Sequence, residues 1–199
     1  MLEQLLDRLA RHRPPAMDQL APEASVLVPV TDSAREPELI LTRRAAHMNS
    51  HAGEVAFPGG KKDPGDPDLL ATALRESHEE IGLPPQRVQV LGQLSPLQSR
   101  AGIKVTPWVG LVAQDIPLTP SPDELESIFR VPLGYFLETP PRNDHLVTWM
   151  GHEYLMPSYR HGDYVIWGLT AYIIVDLLNT VYDAGISLPG PVARARSAT

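Results

Sequence analysis

Three glutamates lie close together in residues 71–83, ATALRESHEEIGL: Glu76, Glu79 and Glu80. In a helix, at about 100° per residue, their side chains span an arc of roughly 100° on one flank. Crowding carboxylates at the C-terminal end of a helix is electrostatically unfavourable. Such a cluster supplies the oxygen ligands that Mg²⁺ and Mn²⁺ prefer. On spacing alone, a solvated acidic face is the more common interpretation of such a cluster.

Local signals predict the elements that hold these glutamates. Asp68 is a suitable N-cap, and Gly82 stops the helix after Ile81. The residues expected to face the core are Leu70, Leu74, Ser77 and Ile81. Upstream, the glycine-rich segment 57–60, FPGG, follows a short extended piece. Such a loop permits close backbone approach to a ligand or to the following helix.

The rest of the chain predicts several strands and few helices, the pattern of an α+β protein. An amphipathic helix is expected at the N-terminus, ending before Pro14. Strands are expected over 25–31, 39–43, 87–94, 103–112, 147–150 and 153–156. One helical turn is expected over 125–129 and a closing helix over 165–182. We divide the chain into a helix and connector (1–24), one domain (25–183) and a flexible tail (184–199).

The composition excludes several classes of function. The absence of cysteine excludes disulfides, thiolate catalysis and cysteine-based zinc sites. A net charge of −7 argues against binding long nucleic acids. The most apolar stretch, 165–178, contains Asp176 and is shorter than a membrane span. We therefore expect a cytoplasmic protein with no nucleic-acid or membrane partner and a small-molecule substrate; a homodimer is compatible with the sequence.

The run Arg75 to Leu83, RESHEEIGL, together with Gly60 resembles the Nudix box. That pattern is Gly, five residues, Glu, seven residues, then Arg-Glu-apolar-x-Glu-Glu-x-Gly-apolar. The loop here is one residue longer, since fourteen residues separate Gly60 from Arg75. Asp66 stands at the acidic loop position, and Ser77 replaces an apolar residue.

The resemblance implies a Nudix fold, an α/β/α sandwich with a mixed central sheet and a loop–helix–loop box. It implies hydrolysis of a diphosphate bridge with Mg²⁺ or Mn²⁺, held by Glu76, Glu79 and Glu80. Arg75 would orient the catalytic carboxylate and pair with the loop acid. Two candidates for the general base are left open, Glu80 and Glu124, and Glu124 is alternatively a metal ligand.

A second resemblance points to the coenzyme A pyrophosphatase branch. The residues that carry it are ILTRRA at 40–45, Asn49, Gly53 and FPGG at 57–60. The branch has arginine where Asn49 stands, and arginine is the better phosphate ligand. The resemblance implies that the substrate-binding residues are Arg43, Arg44, Asn49, Gly59 and Gly60.

Three functions remain open at this point. The first is hydrolysis of coenzyme A or acyl-coenzyme A to 3′,5′-ADP and (acyl-)4′-phosphopantetheine. The second is hydrolysis of another nucleoside diphosphate derivative, such as ADP-ribose or NADH, or of a nucleoside triphosphate, which the asparagine at 49 keeps open. The third is a ligand-sensing Nudix module without turnover. Loss of a box glutamate would favour the third, and none is lost in the helix.

Overall fold

The computed structural model describes residues 1–17, 21–48, 52–149 and 151–188. Its helices are α1 (Leu2–Arg11), α2 (Leu69–Ile81), α3 (Leu133–Glu138) and α4 (Gly168–Tyr182), with a 3-10 turn at Pro85–Arg87. Its first six strands are β1 (Glu23–Thr31), β2 (Glu38–Arg44), β3 (Val55–Ala56), β4 (Gly59–Lys61), β5 (Gln89–Gln93) and β6 (Leu97–Gln98). The others are β7 (Lys104–Val112), β8 (Leu125–Pro132), β9 (Arg142–Trp149), β10 (His152–His161) and β11 (Tyr164–Trp167).

Eight of these strands form one mixed sheet. Its main path is β3-β2-β1-β7-β5, with β4 paired to β1, β6 to β7 and β8 to β2. The β1–β7 pair is parallel, from Glu23 opposite Lys104 to Thr31 opposite Val112, and the other pairs are antiparallel. The remaining strands form a separate antiparallel sheet in the order β11-β10-β9. The expected mixed sheet is confirmed.

Helices cover both faces of the mixed sheet. Consecutive residues of a strand point to opposite faces, and β1 shows this with Leu27 and Val28. Leu27 packs in the cluster of buried residues that includes Ala73 and Ile81 of α2. Val28 packs in the larger cluster that includes residues of α1 and α4. The layers are therefore α2, sheet, and α1 with α4, as the α/β/α expectation requires.

The structure corrects three secondary-structure predictions. Residues 125–129 are not a helical turn but the start of β8, which pairs with β2. Residues 165–167 belong to β11, so the closing helix begins at Gly168. The predicted hairpin strands are longer, at Arg142–Trp149 and His152–His161. Residues 125–129 were decided by pairing with β2, which is distant in sequence, whereas β9, β10 and β11 are extended by hairpin pairing with their chain neighbours.

Two further expectations concern the ends of the fold. The N-terminal helix α1 is present, and its Leu5 and Leu9 are buried. Residues 189–199 of the expected tail lie outside the described part of the chain. Within the described part, no helix has the length and apolar character needed to cross a bilayer.

Candidate active site

Helix α2 has the ends that its sequence predicts. The Asp68 carboxylate accepts a hydrogen bond from the Ala71 N–H at 2.8 Å, and Gly82 adopts the left-handed conformation after the last turn. The buried residues, however, are Thr72, Ala73, Ser77, Glu80 and Ile81. Ser77 fits this face because its hydroxyl donates to the Ala73 carbonyl at 2.6 Å. Of the four residues expected to face the core, Ser77 and Ile81 are buried, Leu74 is partly buried and packs against the core, and Leu70 is partly buried.

Glu80 lies in the interface between α2 and the glycine-rich loop. It is 4% exposed, and its Oε2 accepts the Gly59 N–H at 3.1 Å. Arg44 of β2 lies 3.7 Å from its Oε1. Burial raises the pKa of Glu80 to about 7, while the Gly59 N–H and Arg44 act in the opposite direction. Glu80 is therefore a buried carboxyl group rather than part of a solvated acidic face.

Arg75 joins the acidic residues of the box. Its Nε and Nη2 each donate to one carboxylate oxygen of Asp66 at 3.0 Å. Its Nη1 donates to Glu76 and Glu79, both at 3.0 Å. The hydrogen bonds from Arg75 hold the pKa of Asp66 well below its usual range. In this structure Asp66 thus pairs with the arginine, as expected of the acidic loop residue, despite the longer loop.

The two glycines of the loop are required by close contacts. A Cβ atom on Gly60 would lie 2.4 Å from the carboxyl carbon of Glu76. A Cβ atom on Gly59 would lie 2.3 Å from the carbonyl oxygen of Ser25 in β1. Gly60 therefore leaves space for a carboxylate, whereas Gly59 allows the loop to pack on the sheet.

Glu124 reaches this region on the connection between β7 and β8. The Ser121 N–H donates to the Glu80 carbonyl at 2.7 Å, and the Thr119 N–H donates to the Ile81 carbonyl at 3.0 Å. The Glu124 carbonyl accepts the Ala45 N–H at 2.8 Å. The negative charge of Glu124 contributes to the raised pKa of Glu80. Sequence reasoning missed Thr119 and Ser121, because their contribution is made by backbone groups.

The proposed substrate-binding arginines face different parts of the molecule. Arg44 contacts Glu80, whereas Arg43 lies 3.4 Å from Glu126 and near the Tyr164 ring. Their pairing with β8 shifts register between the two residues. Asn49, the other predicted side-chain contact to substrate, lies outside the described residues.

The donor set fits a divalent cation. Glu76, Glu79, Glu80 and Glu124 supply oxygen ligands only, which suit Mg²⁺ or Mn²⁺. The carboxylate of Glu76 occupies the space that a side chain at position 60 would fill. Within the described part of the chain, no three acidic or histidine side chains already surround a common point. The oxygens of Glu76 and Glu79 contact Arg75, and that of Glu80 contacts Gly59.

Replacing Asp66 by alanine is expected to lower the free energy of unfolding by about 1–3 kcal/mol. Turnover should also fall, because Arg75 loses the partner that fixes its orientation. Asp63→Ala is the matched control, since that carboxylate is 65% exposed and 3.8 Å from Arg75. The control should change stability by less than about 0.5 kcal/mol. Urea unfolding measures the free energy of unfolding of both variants. Equal losses of stability in the two variants would contradict a special role for Asp66.

Comparison with known proteins identifies the family of the chain. The model of the NUDIX domain family matches residues 21–162, well over half of the chain. The protein therefore belongs to the Nudix family. It is a pyrophosphohydrolase, and Nudix hydrolases generally use divalent metal ions.

Its relatives include proteins named "Uncharacterized Nudix hydrolase NudL". The one from Photorhabdus laumondii is 43% identical over 183 residues, covering 90% of this chain and 97% of the relative. The one from Salmonella paratyphi B is 42% identical over 157 residues, covering 78% and 80%. The fold is also similar to a crystal structure of a MutT/nudix family protein from Enterococcus faecalis. That similarity has a TM-score of 0.51 at 18% identity and covers 92% of this chain and 70% of the other.

Proposed function

We propose that the protein hydrolyses the diphosphate bridge of coenzyme A or acyl-coenzyme A. One observation carries the proposal: both ends of the coenzyme A-type signature contact Glu80. Arg44, from the ILTRRA segment, lies 3.7 Å from it, and Gly59, from FPGG, donates a hydrogen bond to it. These two residues of the signature therefore lie against the carboxylate cluster, which supports the proposal.

The proposed roles follow from the contacts of each residue. Glu76, Glu79 and Glu80 would hold Mg²⁺ or Mn²⁺, which neutralises phosphate charge and lowers the pKa of a bound water. Arg75 orients Glu76 and Glu79 through its Nη1 and is itself fixed by Asp66. Glu80 and Glu124 remain the two candidates for accepting the proton of the attacking water. Gly59 and Gly60 bring the loop backbone close to the phosphates.

The reaction adds one water across the P–O–P bridge. The water oxygen bonds to one phosphorus as the bond from that phosphorus to the bridging oxygen breaks. The proton of the water passes to the base and then to solvent or product. Coenzyme A then gives 3′,5′-ADP and 4′-phosphopantetheine.

A substrate panel tests the proposal. Purified protein is incubated with Mg²⁺ and, in separate reactions, coenzyme A, ADP-ribose, NADH and dNTPs, and kcat/KM is measured for each. The highest value is expected for coenzyme A or an acyl derivative. If ADP-ribose or NADH is cut and coenzyme A is not, the alternative substrate class is correct. That alternative is favoured by Asn49, which stands where the branch has arginine.

Dephospho-coenzyme A is expected to be a poorer substrate than coenzyme A by about ten- to a hundredfold in kcat/KM. It lacks the 3′-phosphate, and one charged hydrogen bond is worth about 1.5–3 kcal/mol. Arg43→Ala and Arg44→Ala should reduce this ratio if either side chain binds that phosphate, and Asn49→Arg should increase it. An equal rate for both substrates, unchanged in the alanine variants, would exclude this segment from phosphate recognition.

A further inference from the structure

Two loops meet beside the carboxylates of α2. We call the connection between β7 and β8, residues 113–124, the Glu124 loop. We call the connection between β2 and β3, residues 45–54, the signature loop, because it carries part of the coenzyme A-type signature. Arg44 is the last residue of β2 and contacts Glu80, so the signature loop begins next to the carboxylate cluster.

The Glu124 loop is fixed to the C-terminal end of α2 through its backbone. The Thr119 N–H donates to the Ile81 carbonyl at 3.0 Å. The Ser121 N–H donates to the Glu80 carbonyl at 2.7 Å. The backbone of the loop is further restricted by three prolines, Pro117, Pro120 and Pro122. Glu124 follows three residues after Ser121, so the position of its side chain also depends on contacts made later in the loop.

The signature loop makes those later contacts. The Ala45 N–H donates to the Glu124 carbonyl at 2.8 Å, and the Nε2 of His47 lies 3.1 Å from the Asp123 carbonyl oxygen. A carbonyl oxygen only accepts, so Nε2 carries the hydrogen and donates it. The Met48 N–H donates to the Ala45 carbonyl at 3.2 Å and closes the turn that presents the imidazole. Two consecutive carbonyl groups of the Glu124 loop are therefore held by the signature loop.

The charge of Glu124 reaches the proposed metal ligands. Burial raises the pKa of Glu76 and of Glu80, and the negative charge of Glu124 adds to both shifts. The Glu124 carboxylate is therefore directed toward the space that these two residues border. A group that takes a proton or binds a cation must be held accurately, since a displacement of about 1 Å can cost about a hundredfold in rate.

We propose that His47 is a positioning residue, which holds Glu124 in its working place through the hydrogen bond to the Asp123 carbonyl. The inference rests on the proposed function, because that function makes Glu124 a general base or a metal ligand. The imidazole is exposed, so its replacement leaves the packing of the core unchanged. Loss of one neutral hydrogen bond corresponds to about a two- to tenfold loss of rate.

The test compares two substitutions of His47. His47→Leu removes the donor, and His47→Gln supplies an amide N–H that can reach the same carbonyl. His47→Leu is expected to lower kcat about two- to tenfold with little change in KM, and His47→Gln should recover most of the loss. The matched control is His152→Leu, which replaces an exposed histidine of β10 and should retain the wild-type kcat.

Two further variants show whether His47 acts through the backbone and through Glu124. Asp123→Asn removes the carboxylate and keeps the carbonyl, so it should leave kcat unchanged. In a Glu124→Gln background, His47→Leu should cause no further loss, because the residue to be positioned is already disabled. The inference is overturned if the two losses multiply, or if His47→Leu raises KM and leaves kcat at the wild-type value.

Hydrogen–deuterium exchange of the metal-free protein tests the contact without turnover. His47→Leu should speed exchange of the Ala45 amide, which donates to Glu124, and of the amides of residues 123–125, because the two loops then open more often. His47→Gln and His152→Leu should exchange like wild type. Unchanged exchange in His47→Leu would show that the imidazole does not hold the Glu124 loop and would overturn the inference.

The kinetic measurements use whichever substrate of the panel has the highest kcat/KM, which separates this inference from the proposed function. If coenzyme A is hydrolysed and His47→Leu has the wild-type kcat, the proposed function stands and the positioning role is wrong. If another substrate is cut instead, and both kcat and amide exchange respond to His47→Leu, the positioning role stands and the proposed substrate is wrong.

Discussion

Glu80→Gln is expected to reduce kcat by about a hundredfold to ten-thousandfold, the range associated with loss of a proton-transfer group or metal ligand. The substitution keeps the shape of the side chain, and one amide oxygen can still accept the Gly59 N–H. It removes the negative charge that would bind a cation or accept a proton. Steady-state hydrolysis of coenzyme A at saturating Mg²⁺ measures the effect, and Glu79→Gln should also lose most of its turnover.

Two controls separate catalysis from folding in these variants. Glu138→Gln removes an exposed carboxylate at the end of α3 and should retain wild-type turnover. The metal-free Glu80→Gln protein should be as stable as wild type or more stable, because burial disfavours the charged carboxylate and raises the pKa of Glu80 to about 7. Wild-type turnover in both Glu79→Gln and Glu80→Gln would remove the metal-site assignment. A large loss of stability would instead explain the defect by misfolding.

Removing divalent cations is expected to abolish turnover, and adding Mg²⁺ or Mn²⁺ should restore it. The carboxylates of α2 and Glu124 leave the phosphates of a bound substrate without compensation unless a cation is present. The same addition should raise the melting temperature, since a ligand that binds only the native state stabilises it. Assays in excess EDTA, followed by titration with each metal under thermal denaturation, measure both effects.

The rise in melting temperature on adding metal also depends on which side chains bind the cation. The rise should be smaller in Glu80→Gln and unchanged in Glu138→Gln, whose exposed side chain lies on α3. Full activity in excess EDTA would end the proposed mechanism. An equal metal-induced shift in all three proteins would place the bound cation away from α2.

Much of α2 was predictable because its signals are local. Asp68 and Gly82 mark its ends, and the positions of its glutamates follow from helical spacing. The burial of Glu80 was not predictable in this way. It depends on the Gly59 N–H and on Arg44, which come from two other segments of the chain. The helical period places Glu80 on a flank and cannot show that the loop covers it.

Strand pairing explains the other differences between expectation and structure. Residues 125–129 carry a short pattern that fits a helical turn, yet Leu125 pairs opposite Arg44 in β2, far away in sequence. The adjacent arginines of β2 also have different neighbours. Arg43 lies near Glu126, and Arg44 lies near Glu80. A cavity between β2, β3 and β11 likewise has no local sequence signature, because these strands meet only in the folded chain.

The most direct test of the proposed activity identifies its products. Coenzyme A is incubated with the protein and Mg²⁺, and the mixture is resolved by mass spectrometry, with Glu80→Gln as the inactive control. The proposed cleavage predicts 3′,5′-ADP and 4′-phosphopantetheine in equal amounts, formed only with metal and wild-type protein. Dephospho-coenzyme A with inorganic phosphate, or unchanged coenzyme A at high protein concentration, would contradict it.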